Sequence, residues 1–146
     1  MDSVANELLY AFVEGNAKMT AGHVSKLDLA NLAEEIESLG KRDRRALRSR
    51  LKVLMRHLLK WCYQPERCQK GHSWWSTIRT HRRDIELILE DSPSLRRQIP
   101  NMIAADYQAM RLDASGETSL PLETFPEMRP WTTEQILDET FWPGEA

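Results

Sequence analysis

KRDRRALRSRLKVLMRHLLKWCY (residues 41–63) reads as an amphipathic helix. Leu47, Leu51, Leu54, Met55, Leu58 and Cys62 recur every three or four residues, the period of an α-helix rather than the two-residue alternation of a strand. The other side is cationic: Lys41, Arg42, Arg44, Arg45, Arg48, Arg50, Lys52, Arg56 and Lys60 stand against a single acid, Asp43. Lys41, Arg45, Arg48, Lys52 and Arg56 share one helical stripe, so this segment is expected to bury one face and charge the other. Pro65 stops it.

Working outward, the same period recurs almost throughout, and no sustained alternation bounded by hairpin turns interrupts it. Upstream, a helix is expected over about Ser3 to Met19, with Val4, Leu8, Leu9, Phe12 and Val13 inward, ending near Gly22. Another starts at Asp28, a capping carboxylate, and places Leu29, Leu32, Ile36 and Leu39 on its apolar face before Gly40 ends or bends it. Downstream of a polar loop at 64–72, Ser73 is read as the cap of a helix with Trp74, Ile78, Ile85, Ile88 and Leu89 inward. That helix ends near Asp91. Ser92-Pro93 restarts the chain, and after a short turn a new helix start or a kink is expected at Pro100, with Met102, Ile103, Tyr107 and Met110 continuing the buried face. From Gly116 on, Pro121, Pro126, Pro130 and Pro143 imply an extended arm, broken by a short helix that Thr132 and Gln135 cap as a box. Trp131, Phe141 and Trp142 are expected to anchor that arm. The fold class is therefore all-α, an irregular bundle of about five helices with a Pro-rich, aromatic arm.

At 146 residues, with 41% hydrophobic and 29% charged, the chain has the size and composition of one globular domain. The first twenty residues lack the cationic start of a secretory signal, and no uncharged run is long enough to span a bilayer. Two cysteines do not make the dense disulfide framework of a small secreted domain. A reduced, cytoplasmic protein is the expectation.

The net charge of −2 conceals a segregation. Residues 1–40 sum to −5, residues 41–97 to +10 and residues 98–146 to −7. The acidic flanks could neutralise the basic segment within the molecule or across a subunit contact. The alternative is that the stripe neutralises nucleic-acid phosphates, with Arg79, Arg82 and Arg83 extending it. No helix-turn-helix or other reading head supports sequence recognition.

Catalytic and metal patterns are thin. His57, Cys62, Cys68 and His72 have ligand chemistry for zinc but not the spacing of structural sites, so no metal and no cofactor is expected. No Glu-x-x-His pair, nucleophile elbow or phosphate-cradling glycine loop occurs. Glu35, His57 and His81 are candidates for a buried polar cluster. Glu35 is expected to pair with an arginine and His81 to be a hydrogen-bonded core residue rather than a catalytic base. Glu37 precedes Lys41 by four residues, the order that favours a surface ion pair. Arg67 and Lys70, before the Ser73 helix, are a weak anion-site signal.

Several blocks occur together and in order: Asn31-Leu-Ala-Glu-Glu-Ile-Glu-Ser-Leu-Gly40; His57-Leu-Leu-Lys-Trp61 with Gln64-Pro65; Ser73-Trp74, Thr77-Ile78 and Ser92-Pro-Ser-Leu95; then Phe125-Pro126, Pro130-Trp131-Thr132 and Gln135-Ile136-Leu137. Over about residues 10–143 they resemble the bacterial domain-of-unknown-function family 29. That resemblance implies an all-helical bacterial cytoplasmic protein and no established activity. His81 stands where the family pattern more usually has Gln, and Cys62 and Cys68 are not cysteine positions of it. The favoured reading is a non-enzymatic interaction or self-associating domain with a protein partner or homo-oligomer. The alternatives are nucleic-acid binding through residues 41–60, or an enzyme with a pocket near Glu35, His57 and His81.

Overall fold

The structure, a computed structural model, describes residues 6–7, 26–64 and 72–144. These residues are all-helical, with no strand among them. Residues 6–7 are helical, and the remainder of the expected first helix lies outside the described residues, as do Cys68, Arg67 and Lys70.

The central element is α1, a single helix of 38 residues, Lys26–Tyr63. At 1.5 Å per residue it is roughly 57 Å long. Gly40 does not end the helix, which runs through it to Tyr63. An interior glycine costs only about 1 kcal/mol relative to alanine, and the helix formers on both sides outweigh that local cost. Gly40 is itself buried. Asp28 falls in the first turn of α1 rather than at its cap, still suited to the positive end of the helix dipole.

Helix α2 (His72–Asp91) and helix α3 (Ile99–Thr118) both pack on α1. Ser73 therefore lies inside α2, and its carbonyl accepts the Thr77 hydroxyl at 2.7 Å. A 3-10 turn, Pro93–Gln98, joins the two helices, and Pro100 sits in the first turn of α3, where its missing N–H costs nothing. The core is built from Leu47, Leu51, Leu54, Met55, Leu58 and Leu59 of α1 against Ile78, Ile85 and Leu89 of α2 and Ile99, Ile103, Tyr107 and Met110 of α3. All six α1 residues are fully buried, so the apolar stripe faces inward as its period requires. The upstream stripe behaves differently. Ile36 is buried and Leu32 half-buried, but Leu29 and Leu39 are 53% and 44% exposed.

Gly116 does not end α3, which continues to Thr118 and stops at Ser119 in the left-handed conformation (φ 59°). The chain then crosses α3 in a largely non-helical path with a 3-10 turn at Leu122–Thr124 and the short helix α4 at Thr133–Leu137. Side chains of α3 hold its carbonyls: the Tyr107 hydroxyl donates to Pro126 at 2.6 Å, Arg111 Nε to Phe125 at 2.8 Å and Gln108 Nε2 to Glu127 at 2.7 Å. Backbone left unpaired by irregular structure needs such partners. The Thr132 and Gln135 capping box opens α4 in both directions. Trp131 is buried, and Phe141 and Trp142 pack on the core; Trp142 lies 4.9 Å from Trp61 and stacks on Trp75 at 6.2 Å.

Candidate functional site: a cationic groove between α1 and α3

The basic face of α1 divides into a neutralised part and an open part. Arg48 grips Asp106 of α3 with two hydrogen bonds of 2.6 Å, Nε to Oδ2 and Nη2 to Oδ1. The hydrogen bond from Arg48, with the charge of Lys52, holds the Asp106 carboxyl below the usual aspartate range. Arg50 pairs with Asp84 of α2 at 3.3 Å. Glu117 of α3 receives Lys60 at 2.8 Å and Arg56 at 3.3 Å. Burial works to raise the Glu117 pKa, but the hydrogen bond and charge of Lys60, together with Arg56, bring it below its ordinary value. Lys60 is almost fully buried and also lies over the Trp74 ring at 4.9 Å. Asp106 and Glu117 of the C-terminal third, with Asp84 of α2, thus neutralise Arg48, Arg50, Arg56 and Lys60.

Toward the middle of α1 the cations gather on a cleft. Lys41, Arg44, Arg45 and Arg48 line one wall of an open groove of about 400 Å³, whose other wall is Gln98, Asn101, Met102 and Ala105. Among the described residues no acidic side chain lines it. Arg44 Nε is held by Gln98 Oε1 at 3.1 Å, which fixes that guanidinium at the groove edge. Lys41, Arg45 and Lys52 are exposed, whereas Arg56 is half-buried beside Glu117. The stripe of five is therefore open at Lys41, Arg45 and Lys52, and tied down at Arg48 and Arg56. The four residues on the α3 side carry no charge, and only tertiary packing brings them opposite the arginines.

The other candidates do not converge. Glu35 is exposed and lines a shallow hollow with Asn31, Glu34, Ser38, Leu39 and Arg42, without an ion-pair partner among the described residues. It stands 22 residues before His57 on the same helix, roughly 33 Å away, so Glu35, His57 and His81 do not form one cluster. His57 Nδ1 donates to the Val53 carbonyl at 2.8 Å. Burial pushes the His57 pKa down to about 4, with Lys60 and Arg56 adding to the fall. His81 Nδ1 donates to the Thr77 carbonyl at 2.9 Å, the bonding of a structural histidine. Cys62 is a half-buried free thiol, and burial pushes its pKa up, away from reactivity. Among the described residues no three His, Cys, Asp or Glu side chains converge as a metal site.

Arg82 does not extend the cationic surface. It is fully buried, donates from Nε to the Ile136 carbonyl at 2.9 Å and from Nη2 to Gln135 at 3.5 Å, and lies 5.4 Å from the Trp142 ring. Arg79 stacks on Trp75 at 4.6 Å.

No helix among the described residues is long and apolar enough to cross a membrane. No curated protein and no solved structure matches the chain. The family described as "Domain of unknown function DUF29" matches residues 10–142, and the chain belongs to that family.

Proposed function

We propose that this protein is a non-enzymatic interaction domain that receives an acidic protein segment in the groove between α1 and α3. One observation carries the reading: Lys41, Arg44, Arg45 and Arg48 converge on a cleft whose lining, among the described residues, holds no acid. Cations gathered in a concave site attract an opposite charge and set its register. The facing wall favours a peptide over a phosphate backbone, because Met102 and Ala105 offer apolar contact and Gln98 and Asn101 offer amides. A single folded domain in the bacterial cytoplasm suits the free Cys62 thiol.

Nucleic acid is the second reading, favoured by the exposure of Lys41, Arg45 and Lys52 along one stripe. Fluorescence anisotropy separates the two. A labelled glutamate-rich peptide is expected to bind at low salt and to lose affinity in the Lys41→Glu/Arg45→Glu double variant. Three neutralised phosphates would instead give duplex DNA a log–log salt slope of about −2.7, and duplex binding without peptide binding would reverse the assignment.

A further inference from the structure

We infer that the acidic segment entering the groove is α1 of a second copy of this chain, packed antiparallel to the first; the inference rests on the groove reading above. The helix is a charge-segregated rod. Between Asp28 and Gly40 it carries acids and no base, and from Lys41 to Lys60 it carries nine bases and one acid. Its acidic end presents an outward face: Glu34, Glu35 and Glu37 are exposed, as are Leu29 and Leu39, while Ile36 and Gly40 are buried.

The two ends match in register as well as in sign. Glu34, Lys41, Arg45 and Lys52 are separated by seven, four and seven residues, so they lie within about 20° of one helical line. A two-fold axis crossing α1 between Leu39 and Gly40 sets Glu34 opposite the partner's Arg45. It also brings Glu37 and Glu35 within a turn of the partner's Lys41 and the partner's Arg42. Ser38, the small residue beside the axis, allows the rods to approach. Both grooves are then filled at once by an isologous contact, whereas parallel rods would oppose like charges. Exposed ion pairs contribute little singly, so the dimer is held by several together and weakens with salt.

The test is sedimentation equilibrium of the full chain at low and high salt, with circular dichroism to verify folding. The wild-type chain is expected to dimerise at low salt and to dissociate as salt rises. Glu34→Arg and Arg45→Glu are both at exposed positions, and each alone is expected to weaken the dimer by at least about tenfold, because each sets like charges opposite one another. Mixing the two single variants restores both contacts and is expected to return a heterodimer of wild-type strength, as is the double variant with itself. A monomeric wild-type chain at low salt, or a dimer indifferent to these exchanges, overturns the inference. If the monomer still binds the glutamate-rich peptide through Lys41 and Arg45, the groove reading survives alone; if it binds neither, both fall.

Discussion

Arg82, fully buried on α2, donates its Nε hydrogen to the carbonyl of Ile136 at 2.9 Å, and so ties the end of the short helix α4 to the bundle. The last carbonyls of a helix have no partner of their own, and a guanidinium is the side chain best shaped to take two of them. Burial pushes the Arg82 pKa down to about 10, which leaves it charged at neutral pH, and Asp138 and Glu139 oppose that fall. Arg82→Met leaves the Ile136 and Gln135 carbonyls without this donor, and is expected to cost about 3 kcal/mol of unfolding free energy. Urea unfolding followed by tryptophan fluorescence measures it. Lysine at this position should recover less than half, since a single ammonium does not match the fork; a loss under about 1 kcal/mol in the methionine variant would contradict the assignment.

His57 gives the fold a proton-linked weakness. Its pKa falls from 6.5 in the unfolded chain to about 4 in the folded protein, so below neutrality the unfolded state binds the extra proton. The contribution is intact above pH 6.5 and is lost as pH falls toward 4. Allowing for partial solvent access, the loss is on the order of 2 kcal/mol. An NMR titration should find the His57 ring unprotonated at pH 5.5, and His57→Gln should flatten the unfolding free energy between about pH 6.5 and 4.

Periodicity made the apolar stripe of α1 legible because burial of Leu47, Leu51, Leu54 and Leu58 is a repeat within a single helix. The capping box at Thr132 and the restart at Pro100 were legible for the same reason: the residues responsible are local. Gly40 lies inside α1 rather than at an end of it because helix formers continue on both sides. Arg82 looks like a surface cation beside Arg79 and Arg83; it is buried because carbonyls some fifty residues away need its hydrogens. The cationic half of the groove was visible as the stripe Lys41, Arg45 and Arg48, but nothing local indicates that Asn101, Met102 and Ala105 face it.

The Arg48–Asp106 bond predicts a second acid dependence, at lower pH. The folded-state pKa of Asp106 is depressed, so its stabilisation is present above the ordinary aspartate pKa and disappears as pH falls through the folded value. Urea midpoints between about pH 5 and pH 2 should fall less steeply in Asp106→Asn than in the parent chain. The same substitution releases Arg48 into the groove, and is therefore expected to tighten binding of the glutamate-rich peptide at neutral pH. Unchanged acid sensitivity together with unchanged affinity would show that the pair contributes to neither.

Lys60 and Glu117 differ in exposure, which makes their pair asymmetric: the ammonium is 8% exposed and the carboxylate 42%. Removing the exposed partner leaves a buried cation, whereas removing the buried one leaves a carboxylate that water solvates and Arg56 still neutralises. Glu117→Gln is accordingly expected to destabilise by about 1–2 kcal/mol. Lys60→Met keeps the apolar stem against Trp74 and should cost less than that. Thermal and urea unfolding of the two variants decides the order; if Lys60→Met were the more damaging, the contact of the ammonium with the Trp74 ring at 4.9 Å, rather than the ion pair, would be what holds this end of α1 to α2.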